Sequence, residues 1–381
     1  MKRFLVTISV FLAIFSVMYS GIWLYKSKTV KSLTENAILA ITKDLGGRKS
    51  EFVYANTLVS GFPFGYKVQI NKPRFIIDDK NISLELSSDD SLIIESDILE
   101  SKYTATLPQN INVKNGESLE QNYSLRYNSP AQIELSSNNK NLAARFFKRI
   151  IFDDTKGTYE INQANYKDSG YKYINPLNQD VISSAESVDL TVKIVSDSTY
   201  NLKANISNQF FKGLKKLADK KNDIGNINLA ADIIYSEKSG DSVSFKNFAL
   251  NSDKFSLDIK GNTSSSNIEA FPYGDLTIKI GSYEDFIDFK ANLLNNMVSN
   301  SIIPLFRIKS KQITDFKTFL SKVATEKSDD GKNIALTLKR EEGQAVSIGK
   351  YSFIEAVHIY NGGHIEKVTT NASKEFVTDA K

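Results

Sequence analysis

The chain contains no cysteine. Disulfides, cysteine-ligated zinc, iron–sulfur clusters and thiol catalysis are therefore excluded. Histidine is almost as scarce: His358 and His364 are the 2 present, so imidazole chemistry is confined to one short C-terminal stretch. They flank the turn Asn361-Gly362-Gly363, without the spacing of a helical metal pair and without an acidic cluster beside them. A surplus of one charge is also lacking, since 48 Lys and Arg against 44 Asp and Glu leave a net charge of +4. The basic residues are spread along the chain, which argues against a nucleic-acid partner. No G-x-S-x-G elbow, Walker loop, G-x-G-x-x-G or H-E-x-x-H occurs, so no catalytic residue, metal site or cofactor is expected.

What is present belongs to a folded protein. The 381 residues give room for one or two domains with real cores, and the 17 Tyr and 23 Phe exceed what a disordered chain carries. Phe4 to Leu24 has no charge and is long enough, at about 1.5 Å per residue, to span a hydrocarbon core of about 30 Å. Three readings compete. A cleaved signal peptide has a shorter apolar core and a small-x-small site, and here Met18 stands where a small residue is wanted. A core helix fits poorly after Lys2 and Arg3. An uncleaved membrane anchor fits best, with Trp23 and Tyr25 at interfacial positions. Flanking lysines on both sides nearly balance the positive-inside rule. An N-terminus-in anchor, the usual outcome for so short a leader, places residues 25–381 outside the cytoplasm.

The apolar spacing of Val30, Leu33, Ala37, Ile38, Ile41 and Leu45 before Gly46-Gly47 predicts a juxtamembrane helix. From about Glu51 the period becomes two, as in Tyr66-Val68-Ile70, Ile82-Leu84-Leu86 and Val188-Leu190-Val192-Ile194. It recurs in Tyr200–Ile206, Ile227–Tyr235, Phe255–Ile259, Leu276–Ile280 and Ile334–Leu338. This is the pattern of antiparallel strands with one apolar and one wet face. Helical spacing interrupts it at Gln209–Lys221, Tyr283–Ile303 and Gln312–Ala324, while Leu142–Ile151 reads as either helix or strand. The expected class is mainly β with peripheral helices (α+β): one N-terminal transmembrane helix, then long, curved antiparallel sheets. The expected organisation is an anchor at 1–25, a juxtamembrane helix at 26–47, a first β-rich half at 48–208, a second at 209–365 and a tail at 366–381.

Few stretches invite a function. Phe62, Pro63 and Phe64 lie in the turn Gly61–Tyr66, which reads as a structural corner or as an apolar lip for lipid or a partner. Phe271-Pro272-Tyr273-Gly274 echoes it. The expected helix at Gln209–Lys221 carries Phe210 and Phe211 with Lys215 and Lys216, and reads as a cover for the sheet or as a helix on an anionic membrane surface. The acid pairs Asp78-Asp79, Asp89-Asp90, Asp153-Asp154 and Asp329-Asp330 read as solvated turns, and Asp153–Glu160 lacks the ligand series of a calcium loop.

The basic start, the apolar stretch, the helix after it, Ser60–Phe75 (SGFPFGYKVQINKPRF) and Phe271–Ile280 (FPYGDLTIKI) together resemble an uncharacterised family of mainly alphaproteobacterial, membrane-anchored periplasmic proteins. That family looks distantly similar in architecture to AsmA-like envelope proteins, whose curved sheets have apolar inner surfaces suited to lipid chains. Residues 100–180 match nothing, and the resemblance carries no catalytic residues. It implies a single-pass protein of a bacterial inner membrane with its bulk in the periplasm. The function expected is non-enzymatic: binding or moving lipid in envelope maintenance. The alternative is an anchored envelope scaffold for protein partners. An unrecognised hydrolase is the third reading.

Overall fold

The computed structural model describes Ser20, Leu24, Ser27, Lys28, Lys31 and residues 49–362, except 62–64, 80–81, 98–101, 117–121, 137–161, 197, 213–224, 238–240, 265–272, 300–309 and 342–343; of 49, 78–79, 82, 97 and 292–299 the backbone alone is described. The described residues fall into two units, Met1–Gly213 with Asn226–Asp232 and Leu214–Gly225 with Ile233–Lys381. The protein is mainly antiparallel β, and every alternating stretch named above lies in a strand, save Phe255, which directly precedes one.

In the first unit a string of hairpins feeds two sheets in turn. β1 (Lys49–Val53), β4 (Arg74–Asp79), β5 (Ile82–Ser87), β8 (Asn110–Asn115), β9 (Asn122–Tyr127), β12 (Tyr171–Asn175) and β13 (Asp180–Ala185) form the first sheet in that order. β2 (Asn56–Ser60), β3 (Gly65–Asn71), β6 (Leu92–Asp97), β7 (Lys102–Thr106), β10 (Gln132–Ser136), β11 (Gln163–Asp168), β14 (Ser187–Ser196) and β15 (Thr199–Phe211) form the second. Short corners carry the chain from one sheet to the other. The corners themselves bond sideways: Ser88 N–H donates to the Pro73 carbonyl at 3.1 Å, Leu107 to Ala131 at 2.8 Å, Asn128 to Gly170 at 2.8 Å and Glu186 to Ser207 at 2.9 Å. The pair of sheets is thus creased along one line. Burial follows that line, with Ile70, Ser88, Tyr127, Ala131, Asp168, Ala185 and Val188 all buried there.

Register makes each sheet amphipathic. Val59, Val68, Ile94, Ala105, Ile133, Tyr166, Leu190 and Ala204 lie directly opposite one another across the whole second sheet. The neighbouring row on the other face is Lys67, Glu95, Thr104, Glu134, Asn165, Thr191 and Lys203. Ion pairs such as Lys67–Glu95 at 3.0 Å and Lys102–Glu134 at 2.6 Å decorate that outer face; being exposed, each contributes at most about 1 kcal/mol. The first sheet repeats the pattern with Phe52, Phe75, Leu86, Val113 and Tyr123 in one row and Glu51, Ile76, Glu85, Lys114 and Asn122 in the next.

Keeping one face inward through a corner is a parity problem, because a one-residue slip turns every side chain over. At the corners the inward set changes between even and odd numbers from β1 to β2, from β3 to β4, from β11 to β12, from β13 to β14 and within β15. Left-handed residues absorb the extra position at three of these places: Lys72 (φ 51), Gly170 (φ 110) and Asn208 (φ 50).

The turn at Asn208 also corrects an expectation. The helix predicted from Gln209 does not begin there: Gln209, Phe210 and Phe211 end β15, and Lys212 is the first helical residue. After Asn208 the strand crosses to the first sheet and pairs Ser184 with Phe210 and Ser183 with Phe211. Ladder hydrogen bonds gained in the fold outweigh the weak helical spacing of this segment.

β16 (Ile227–Ser236) passes from the first unit into the second. There β17 (Ser242–Asn251), β18 (Ser256–Ser264), β19 (Tyr273–Gly281) and β21 (Ile334–Arg340) pair in that order, with β20 (Glu326–Lys327) and β22 (Ser347–Ile348) on β21 and β23 (Tyr351–Ser352) on β22. The rows Leu250-Leu257-Ile280-Ile334 and Phe248-Ile259-Ile278-Leu336 share one face. The helices α1 (Tyr283–Ser299), α2 (Ser310–Val323) and α3 (Phe353–Tyr360) complete the unit. Buried Phe255 meets Phe286 edge-on at 5.2 Å and lies tilted against Phe289 at 5.4 Å, Lys317 bridges to Asp288 at 2.7 Å, and Phe319 meets Tyr360 edge-on at 5.5 Å.

α3 is started by a capping box: the Glu355 carboxylate accepts from the Ser352 N–H and hydroxyl, both at 2.8 Å. The Ser352 backbone N–H, then its hydroxyl, hold the Glu355 carboxyl below its usual range. A depressed folded-state value means stabilisation that is present above the ordinary carboxylate range and is lost as pH falls through the folded value. Replacing Glu355→Gln is expected to cost about 0.5 kcal/mol at neutral pH, the small size reflecting exposure. Urea midpoints of variant and wild type should then converge on acidification; a gap that stays constant with pH would rule out the carboxylate as its source.

Candidate functional site

The inner faces of the two sheets meet at the crease, where the Tyr166 hydroxyl of the second sheet lies 3.5 Å from the Tyr127 hydroxyl of the first. Away from the crease, along β14 and β15, the inner rows are left uncovered. Leu190, Val192, Ile194, Leu202 and Phe211 are 37–43% exposed, although they continue the same apolar face as the buried Val188. Val192 faces Leu202 and Leu190 faces Ala204 across the β14–β15 pair. Burying such a side chain fully is worth about 1.5–3 kcal/mol, so each leaves about 1 kcal/mol unrealised. From Val188 to Ile194 the strand rises about 20 Å and the row across the second sheet runs about 34 Å. Those dimensions exceed one leaflet's acyl layer, about half of a 30 Å hydrocarbon core. The rows Tyr66-Ser96-Tyr103-Leu135-Ala164-Val192-Leu202 and Ile111-Leu125-Tyr173-Ser183-Phe211 contain no charge.

One part of the crease is polar. Asp168 is 4% exposed; its Oδ2 accepts from the Tyr166 hydroxyl at 2.8 Å and its Oδ1 from the Gly170 N–H at 2.8 Å. Tyr171, opposite Tyr127 in register, has its hydroxyl 3.1 Å from that of Ser183. Buried Gln209 donates through Nε2 to the Tyr171 hydroxyl, the Ser183 hydroxyl and the Ser184 carbonyl, each at 3.0 Å. Burial, the larger cause, and the bonds to Tyr127 and Asp168 push the Tyr166 hydroxyl far above the usual phenol range. Burial likewise raises Tyr127. These hydroxyls are therefore neutral at physiological pH.

No family model matches the chain, and no curated protein matches it.

Of the candidate contacts read from the sequence, Phe210 and Phe211 lie at the end of β15. Phe211 shares the inner face with Tyr173 through Ser183, and Phe210, opposite Ser184, belongs to the other face. Phe62, Pro63, Phe64, Lys215 and Lys216 lie outside the described residues, as do Asp153–Glu160, Leu142–Ile151 and, except for helical Ser20 and Leu24, the stretch Phe4–Leu24. Among the described residues no helix is long and apolar enough to cross a membrane, and no group of three or more His, Cys, Asp and Glu is placed to hold a metal. Sequence reasoning missed Tyr127, Tyr166, Asp168 and Tyr171. Their signal was parity: Tyr166 and Asp168 continue the inward series begun by Ala164, ending just before the Ser169-Gly170 corner.

The second unit has an apolar surface of its own. Phe353, Val357, Tyr360 and Phe316 are exposed, and Ile354 is 78% exposed; Phe316 stacks on Phe319, which in turn touches Tyr360.

Proposed function

We propose that this protein binds lipid through the uncovered inner face of its creased sheets and serves, without catalysis, in envelope maintenance. The observation that carries the reading is the mainly apolar rows of the first unit, uncharged across many strands and 37–43% exposed at Leu190, Val192, Ile194, Leu202 and Phe211. An apolar chain laid on Leu190, Val192, Ile194 and Leu202 recovers the burial they lack. In this reading Phe4–Leu24 anchors the chain in an inner membrane and the bulk lies in the periplasm, as the resemblance to the membrane-anchored family implies. The test is uptake of fluorescent phospholipid from vesicles by delipidated protein, read after separating the two. Roughly stoichiometric uptake is expected, and none would sink the reading. A reporter fused after Lys381 that works only in the cytoplasm would overturn the topology.

A second reading, a scaffold for protein partners, draws on the exposed patch of Phe316, Phe353, Ile354, Val357 and Tyr360. Discrete protein adducts after crosslinking in membranes, without lipid uptake, would favour it.

A further inference from the structure

The polar spot on the crease is unusual because its hydrogen-bonding capacity is not used up. Tyr166 has one hydroxyl proton, and it goes to Asp168 at 2.8 Å rather than to Tyr127 at 3.5 Å. Tyr127 thus receives at most a long contact from the Tyr166 hydroxyl at 3.5 Å, well beyond the roughly 2.7–2.8 Å of a good O–H···O bond, and its own hydroxyl proton has no acceptor among the described residues. Tyr127 is nevertheless 8% exposed, and an underused buried donor is costly. Asp168 has the complementary surplus. It accepts two bonds from neutral donors, against about four lone-pair sites on a carboxylate, and no Lys or Arg pairs with it among the described residues. One spare donor and one spare acceptor therefore flank the same tyrosine, on the inner face, at the foot of the apolar rows.

We propose that Tyr127, Tyr166 and Asp168 form a recognition point for a neutral hydroxyl on an otherwise apolar ligand, an amphiphile of the long-chain alcohol class whose chain lies on the inner rows. A hydroxyl accepts from Tyr127 and donates to Asp168 at once. A carboxylate end offers no donor and is repelled by Asp168. An ammonium end offers no acceptor to Tyr127 and must shed its hydration. An ether accepts but leaves the Asp168 surplus unmet. This inference rests on the inner face being the ligand surface, and it adds the chemical class of the ligand.

The test uses the delipidated full chain loaded with the fluorescent probe N-phenylnaphthylamine, displaced by dodecanol, its methyl ether or laurate. Dodecanol is expected to displace the probe at concentrations about tenfold lower than laurate or the ether, the discrimination typical of one buried polar pairing. Tyr127→Phe keeps the ring and its packing, and is expected to remove most of the dodecanol preference while leaving laurate unchanged. Asp168→Asn, which keeps an acceptor for the Gly170 N–H, gives the same readout should the first variant fail to fold. If all three amphiphiles displace the probe equally, or Tyr127→Phe leaves the preference intact, the recognition point is refuted while the apolar inner face stands. If neither the probe nor any amphiphile binds, the lipid-binding reading falls, and the recognition point with it.

Discussion

The double variant Val192→Glu, Leu202→Lys is expected to lose phospholipid uptake by at least about tenfold while remaining folded. The two residues face each other across β14–β15 and are already 40% and 43% exposed, so their replacement empties no packed core. Opposite charges placed directly across an antiparallel pair attract by some tenths of a kcal/mol, which offsets part of the lost apolar contact. The stability change should stay within about 1 kcal/mol. Binding is another matter. An acyl chain crossing this point would strip water from two charges, at several kcal/mol even for a paired ion, and would lose the apolar area that favours it. Wild-type uptake by a folded variant would show that lipid does not lie on this part of the face. The outer-face variant Thr191→Glu, at a half-buried position opposite Lys203, should leave uptake unchanged and separates a local effect from a general change of charge.

A comparably large effect on stability is expected at the corner that turns β11 into β12. Gly170 has φ +110, and an added Cβ would come within 2.7 Å of the Glu186 carbonyl oxygen, 3.0 Å of that of Ala185 and 2.6 Å of Asn128 Nδ2. The carbonyls belong to the neighbouring corner, where the backbone is held by the Glu186–Ser207 bond, so they cannot move independently. Gly170→Ala should cost about 3 kcal/mol: about 1–2 for a left-handed alanine and the rest for the clash. Gly362→Ala is the control. Gly362 also has positive φ, +86, but nothing lies within 4 Å of the added atom, so only the backbone part should appear, about 1 kcal/mol. Urea midpoints at constant slope measure both. Equal losses at the two sites would mean that corner packing contributes nothing.

Alternation with period two was enough to locate most strands. Tyr66–Ile70, Val188–Ile194 and Leu276–Ile280 each place apolar residues on one side of a pleated chain, and no other regular structure does so. The helices Tyr283–Ser299 and Ser310–Val323 were legible for the same reason at the helical period. Gln209–Phe211 was misread because three residues are too few to fix a period. What decided their state was a partner strand, β13, far away in the chain.

The candidate site was illegible for a related reason. Tyr127, Tyr166 and Asp168 are spread over three strands and two sheets, and nothing local marks them as neighbours. Their proximity depends on which hairpin enters which sheet, and on the corner at Gly170 that sets the parity of β12.

By itself, then, the sequence determined composition-level exclusions, the strand-rich class and the amphipathic character of each strand, because these depend on residue type and spacing alone. Tertiary structure decided that the hairpins alternate between two sheets, that their apolar faces meet along one crease, and that the rows beyond it stay half-exposed. Those facts arise from pairing and closure between distant segments, whose free energies are absent from any local window of the chain. The uncharged stretch Phe4–Leu24 stays with the first kind: its length and apolarity are sequence properties, and the anchor read from them rests on hydropathy alone.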